Sequence, residues 1–209
     1  MKTMILNASP RKNWNTAQLL QSAAKGAESA GAEVEYIDLY ELNFTGCRSC
    51  LACKTKTAAP RHCYYPDDLS PVVDRIYESG ALIVGSPIYL MDTTSQFHAL
   101  MERLVFTNLS YGTPHPFAGK INFGGIFTMN ATGDWYYGTI EPRLKDQLQW
   151  LKGLNGEIRI LPSMDTLQVG DYSQYDMGAF NEEHKKQVRL TQFPKDMEAA
   201  FRMGAELSR

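Results

Sequence analysis

The chain has 209 residues, 44% of them hydrophobic, enough to bury one substantial core, and the simplest organisation is a single domain over residues 1–209. Lysine and arginine total 21 against 23 acidic residues, a net charge of −2 that excludes an electrostatic footprint for nucleic acid or a polybasic membrane patch. Ten prolines and sixteen glycines are ordinary usage, the opening apolar run is too short for a signal peptide, and no stretch nears the ~20 apolar residues of a membrane span, so the sequence reads as soluble and cytoplasmic.

In chain order, Thr3 to Asn7 is a short apolar run, as expected of a strand buried on both faces. The polar turn Ser9-Pro10-Arg11-Lys12-Asn13-Trp14 follows, and Asn15-x-x-Gln18 has the form of a capping box that opens a helix with Leu19, Leu20, Ala23, Ala24 and Ala27 inward. Gly31 closes that helix and Val34 to Leu39 reads as a second strand. Tyr40 to Pro66 is irregular and holds every cysteine. Asp67 or Asp68 starts a helix through Val72, Val73 and Ile76 to Gly80. Ala81 to Val84 is a third strand ending at Gly85-Ser86-Pro87-Ile88-Tyr89. Thr93 or Thr94 caps a helix whose apolar face is Phe97, Leu100, Met101, Leu104 and Val105.

Ile121 to Thr128 is a fourth strand, whose Gly124-Gly125 pair predicts close packing on the backbone. A helix is expected from Thr139 to about Lys152 and a fifth strand from Glu157 to Leu161. The Tyr-, Asp- and Gly-rich segment from Pro162 to Phe180 reads as an excursion over the surface. Asn181 to Leu207 is helical and broken near Phe193-Pro194. Strands alternating with helices predict an α/β fold with a five-stranded parallel sheet covered on both faces, order 2-1-3-4-5. In such sheets ligands sit beyond the carboxyl ends of the strands, where Ser9, Pro87 and Thr128 fall.

The first loop couples a strand end to a helix N-terminus and carries the hydroxyls of Ser9 and Thr16, the Arg11 guanidinium and the Asn15 amide, the makings of an anion site. It matches neither G-x-x-x-x-G-K-[ST] nor G-x-G-x-x-G, so nucleoside-triphosphate and dinucleotide fingerprints are absent. The plain alternative is an ordinary strand-to-helix turn with a good cap. In the second loop, a rigid Pro87 and an aromatic Tyr89 suit a wall for a flat ring. Together the loops resemble the flavodoxin-like NAD(P)H-dependent FMN reductase family, whose first loop runs S-x-R-x-x-x-[NS]-[TS] and second G-[ST]-P-[IV]-[YH]; here they read Ser9 to Thr16 and Gly85 to Tyr89. The resemblance implies that Ser9, Arg11, Asn15, Thr16 and Ala17 hold an FMN phosphate. It implies that Pro87, Ile88, Tyr89 and Leu90 line the isoalloxazine, with Thr128 to Asn130 closing the third side. It also implies electron transfer from NAD(P)H to a quinone, a flavin or another small acceptor, with no side chain obliged to act as acid or base, and a homodimer or homotetramer.

The cysteines run C-x2-C-x2-C-x9-C: Cys47, Cys50, Cys53 and Cys63. Three thiolates at two-residue gaps suit one face of a cubane, and the motif resembles that of the iron–sulfur flavoproteins, a branch of the same fold. There the fourth cysteine follows more closely, so Cys63 departs from the pattern. Flavin without a cluster ranks ahead of flavin with a [4Fe–4S] group, and a zinc site or a Cys47–Cys50 redox dithiol behind both. Outside these motifs His98 and His115 read as packing or solvated residues, and Trp135-Tyr136-Tyr137 either covers a ring or lies in a subunit interface. The rival functions are a flavodoxin-type or iron–sulfur electron carrier, against which the weak net charge argues, and a non-catalytic metal-stabilised sensor.

Overall fold

A computed structural model describes residues 1–112 and 114–209. Five strands, β1 (Lys2–Asn7), β2 (Glu33–Asp38), β3 (Ala81–Pro87), β4 (Ile121–Thr128) and β5 (Asn155–Ser163), form one sheet in the order β2-β1-β3-β4-β5. Every pairing is parallel. The helices are α1 (Asn15–Ser29), α2 (Ser70–Tyr77), α3 (Ser95–Asn108), α4 (Gly133–Trp135), α5 (Glu141–Leu148), α6 (Glu182–Thr191) and α7 (Phe193–Leu207). This is the flavodoxin-like three-layer architecture that the alternating pattern predicts.

Side chains alternate across a strand, so each central strand feeds two cores. Met4, Leu6, Leu82, Val84, Phe123 and Phe127 pack with α2, α3 and α5 on one face; Ile5, Ala81, Ile83 and Ile126 pack with α1 and α7 on the other. The α1–α7 contact is a backbone approach: a Cβ at Gly26 would lie 1.9 Å from the Phe201 oxygen, and one at Gly204 1.9 Å from the Ala23 oxygen. Gly85 does the same for α1 against β3, where a Cβ would meet Leu20 at 2.7 Å and Thr16 at 2.8 Å. That glycine lets the first turn of α1 sit directly on the carboxyl end of the sheet. The Gly124-Gly125 pair behaves as expected, with Leu207 and Met203 crowding one face and Phe127 and Phe123 the other.

Four local readings need correction. α1 has no capping box: its N-cap is Trp14, and no side chain caps it. Asn15, itself buried, reaches away from its own helix, donating from Nδ2 to the Leu167 oxygen at 2.8 Å and accepting on Oδ1 from Arg189 at 2.9 Å. α2 begins at Ser70, with the Asp67 carboxylate accepting from the Leu69 and Ser70 amides. The run before β5 starts at Gly133 and passes through a π-type turn, Tyr136–Ile140, before α5. Tyr136, Ile140, Leu144 and Leu148 are all buried, so one inward stripe crosses the Gly138-Thr139 step that reads locally as a break. Finally, the segment from Pro162 to Phe180 is a surface excursion only in its second half. Thr166, Val169 and Tyr172 are buried, and Leu167 and Gln168 strap the first loop against the carboxyl end of the sheet, whereas residues 173–181 run exposed over the surface with only Met177 half-buried.

Candidate functional site

The carboxyl ends of β1, β3 and β4 each release a loop, and a set of short bonds laces the three together. The Ala8 amide donates to the Gly85 oxygen at 2.8 Å, and the Thr94 hydroxyl donates to the Ala8 oxygen at 2.7 Å. The Thr94 amide donates to Ser86 Oγ at 3.0 Å, and the Ile88 amide reaches the Thr128 oxygen at 2.8 Å. Thr94 also caps α3, accepting from the Phe97 amide. Within the first loop Asn7 Oδ1 accepts from the Ser9 amide at 3.0 Å, and Ser9 Oγ accepts from the Arg11 amide at 3.2 Å. Thr16 and Thr128 join hydroxyl to hydroxyl at 2.7 Å, which ties the first turn of α1 to the end of β4.

These loops surround a cleft lined by Ser9, Arg11, Trp14, Asn15, Thr16, Pro87, Ile88, Tyr89, Thr128, Met129, Asn130, Thr166, Gln168 and Met177. Of the residues singled out from sequence, Ser9, Arg11, Asn15, Thr16, Pro87, Ile88, Tyr89, Thr128 and Asn130 come together there. Two do not. Ala17 is fully buried beneath the first turn and offers only backbone, and Leu90 is 98% exposed and forms no part of the wall. Leu90 and Met91 both have positive φ, 49° and 69°, in the tight Tyr89–Asp92 turn. That conformation costs non-glycine residues roughly 1–2 kcal/mol each, and it holds Leu90 out in solvent.

Four features mark the cleft as a place for an anion carrying a flat group. The first-turn amides of α1 lack a side-chain cap, so the partial positive charge of the helix end is left for a ligand. Arg11 supplies a cation, held by donation to the Gln168 oxygen at 2.5 Å. Asn130 Oδ1 is buried with no partner, an acceptor left waiting in the wall. Tyr89 is the aromatic wall; burial raises its phenol above the usual range, and the nearby Arg11 charge opposes that rise. Met129 falls within the expected Thr128 to Asn130 wall, whereas Trp14, Thr166, Gln168 and Met177 carry no expectation from sequence. Three of these four lie in the segment after β5, where sequence pattern carries no position in space.

The strap is anchored from outside. Lys185, itself buried, donates to the Asn130 oxygen at 3.1 Å and pairs with Asp165, which also meets His184. Arg189 reaches Asn15 at 2.9 Å and Gln18 at 2.6 Å. Of the aromatic triplet, Tyr136 is core, while Trp135 and Tyr137 are each 59% exposed. His98 Nε2 lies 3.2 Å from Asp92 Oδ1, and its Nδ1 meets Gln147 at 2.9 Å, which fits a packing role.

A second cluster lies along α3. Cys47, Cys50, Cys53 and Cys63 all line one small cavity with Tyr64, Tyr65 and Arg103, so the nine-residue gap does not carry Cys63 away from the others. Ser49 and Leu51, on either side of Cys50, have φ of 53° and 58°, so the loop is strained around that cysteine. Burial raises the Cys53 thiol, helped by the neighbouring Cys63, Cys47 and Cys50 and opposed by Lys54. Among the described residues no three His, Cys, Asp or Glu side chains converge tightly enough to hold a single metal ion. Arg103, invisible to sequence reading, is the hub. Its Nε donates to Cys63 Sγ at 3.0 Å, Nη1 to the Thr45 oxygen at 3.1 Å and Asp67 at 2.8 Å, and Nη2 to Asp67 at 3.1 Å and Ser70 Oγ at 2.6 Å. All five N–H groups are therefore used.

A family profile described as NADPH-dependent FMN reductase matches residues 1–153. An iron-sulfur flavoprotein of Archaeoglobus fulgidus is 33% identical over 134 residues, covering 63% of this chain and 55% of that protein. An iron-sulfur flavoprotein of Methanocaldococcus jannaschii is 30% identical over 103 residues, covering 49% of this chain and 51% of its own. The chain thus spans about half the length of these curated relatives. Among solved structures, an NAD(P)H:quinone oxidoreductase from Methanothermobacter marburgensis superposes with a TM-score of 0.72 at 18% identity, covering 100% of this chain and 98% of the other. That likeness shows the fold.

Proposed function

The chain belongs to the NADPH-dependent FMN reductase family, and from that premise we propose that it is an FMN-binding oxidoreductase driven by NAD(P)H. The observation that carries the reading is the cleft where three strand-end loops meet. It combines an uncapped helix N-terminus, a fixed arginine, an aromatic wall and an unpartnered buried acceptor at Asn130. Ser9, Arg11, Thr16 and the first-turn amides, including that of Ala17, would hold the phosphate. Pro87, Ile88 and Tyr89 would flank the ring on one side and Thr128 to Asn130 on another, with Asn130 Oδ1 receiving a donor from the cofactor. FMN supplies the hydride and electron chemistry, and the protein fixes its place and its surroundings.

The residues do the rest by position. Gly85 lets α1 press its end onto the sheet, and the Thr16–Thr128 bond sets the width between the first and third loops. Leu167 and Gln168 would close the phosphate side through their bonds to Arg11, Trp14 and Asn15. No side chain in the cleft stands as a required acid or base. The acceptor in this reading is a quinone, a flavin or a similar small molecule, reached from the open side by Tyr89. The exposed Tyr89 and Leu90 beside the cleft favour a second copy of the chain completing the site, as a homodimer or homotetramer. No helix among the described residues is long and apolar enough to cross a membrane; the four cysteines, free of disulfides, would suit a reducing compartment such as the cytoplasm.

A second reading adds a [4Fe–4S] group to the same flavoprotein, and the meeting of four cysteines at one cavity favours it. Four thiols, one of them hydrogen-bonded by a buried guanidinium, suit such a group in residue type, and it would relay single electrons. Anaerobic purification tests both readings. Flavin absorption that bleaches with NADH or NADPH and recovers on adding a quinone supports the oxidoreductase. Colourless protein that takes up no FMN refutes it. Bound iron and sulfide with a broad brown absorption would establish the cluster, and resolved flavin bands alone would deny it.

A further inference from the structure

The cysteine loop and the far end of α3 enclose a second cleft that the proposed flavin chemistry leaves unused. Residues 53–61 form one wall, and residues 107–112 with His115 form the other. Lys54, Lys56 and Arg61 contribute three permanent cations and His115 a fourth nitrogen base; among the described residues no aspartate or glutamate lines it. In a chain whose net charge is −2, that concentration is local and one-signed. Among the described residues none of these three cations has a carboxylate partner.

Two of the cations are also held in place. Lys54 donates to the carbonyl oxygens of Phe106 and Leu109, the latter at 2.5 Å, with its ammonium 4.5 Å from the Phe106 ring centre. Arg61 donates from Nη1 to the His115 oxygen at 3.2 Å and lies over the Phe117 ring at 5.4 Å. Its backbone sits at a φ of 62°, a strained value for arginine. The carbonyls that Lys54 meets are those at the carboxyl end of α3, whose partial negative charge offsets part of its own, so the positive potential of the cleft comes chiefly from Arg61 and Lys56, which no carboxylate among the described residues faces. A merely solvated charged loop needs neither fixed cations nor left-handed backbone.

We propose that this cleft binds a small phosphate-bearing anion with at least two negative charges. Arg61 would grip it through its remaining N–H groups, Lys56 would add a mobile charge, and Lys54, capping α3, would fix the wall between them. Cys53 and Thr107 line both this cleft and the cysteine cavity, so the bound anion would sit directly beside the thiols. The proposal stands on this wall alone; the flavin reading enters its test only as the means of filling the first loop.

The test uses protein saturated with FMN, so that the first loop is filled, titrated with inorganic pyrophosphate in a calorimeter. One saturable site per chain is expected, with Arg61→Gln and Lys56→Gln each weakening it by about tenfold or more, the worth of a charge-assisted bond. Pyrophosphate should also protect Lys56 from acetylation, read by mass spectrometry. ADP binding more tightly than pyrophosphate would assign the anion to a nucleotide, and equal affinity to a simple phosphate compound. Should Arg61→Gln fail to fold, the exposed Lys56 still gives the answer. Absence of saturable binding, or the same affinity in the folded variants, would overturn the proposal.

Discussion

Replacing Arg103 by methionine should unfold this protein more readily than almost any other single exchange on α3. The side chain is 2% exposed and its ion pair with Asp67 is nearly as deep, the two side chains being 1% and 8% exposed. Methionine keeps most of the stem but abandons Asp67, the Thr45 carbonyl and Cys63. Breaking one partner of such a pair leaves a buried, unpaired charge and costs about 3–5 kcal/mol. In a domain of this size that corresponds to a melting temperature lower by about 6–20 °C. Urea unfolding at fixed, saturating FMN, followed by far-ultraviolet circular dichroism, measures it, with cofactor held constant because ligand binding adds its own stability. Adding Asp67→Asn to the methionine variant removes the stranded charge. The double variant should therefore be less damaged than the sum of the singles, by roughly 0.5–3 kcal/mol.

The same pair has a pH signature. Burial would raise the Asp67 carboxyl, but the hydrogen bonds and charge of Arg103 outweigh it and hold the group below its ordinary value of 3.8. A carboxyl depressed on folding contributes stability that is full above its unfolded value, about 4, and lost as pH falls through the folded one. Wild-type stability should drop in that acid window, and the Arg103→Met variant should show a shallower drop. A loss below about 1 kcal/mol, far under the cost of breaking a buried pair, or strict additivity of the two substitutions, would refute this reasoning.

Two other substitutions separate packing from binding. Asn130→Ala removes an unpartnered buried acceptor, so apo-protein should be unchanged or slightly more stable in urea. FMN affinity in a fluorescence titration should nonetheless fall about 5- to 10-fold, the worth of one hydrogen bond near 1 kcal/mol or somewhat more. Gly204→Ala drives a methyl against the Ala23 oxygen at 1.9 Å, and the backbones of α1 and α7 must part, costing about 1–3 kcal/mol or more in thermal unfolding.

The layers of the fold were legible because burial on two faces forces short continuous apolar runs, as at Thr3 to Asn7 and Ile121 to Thr128, and these two agree with β1 and β4 to within a residue. Thr94 was readable as a cap because its hydroxyl acts three residues ahead. Asn15 misled because capping residues are also good hydrogen-bond partners for distant groups, and here Leu167 and Arg189, about 150 and 170 positions away, win it. The helix before β5 was placed late because Gly138-Thr139 looks like a boundary, while the buried stripe through Tyr136 and Ile140 overrides it. Arg103 offered no signal at all. An arginine on a helix reads as solvated until tertiary contacts bring Asp67 and Cys63 to it.

The account rests on a phosphate held by the first loop, and comparing FMN with riboflavin tests it most directly. Apo-protein titrated with each, by quenching of flavin fluorescence, should bind FMN at least ~100-fold more tightly, since several charge-assisted bonds of about 1.5–3 kcal/mol each depend on that one group. Arg11→Met and Ser9→Ala should shrink the difference by weakening FMN and leaving riboflavin alone. Equal affinities for the two flavins, or a difference that survives both substitutions, would contradict it.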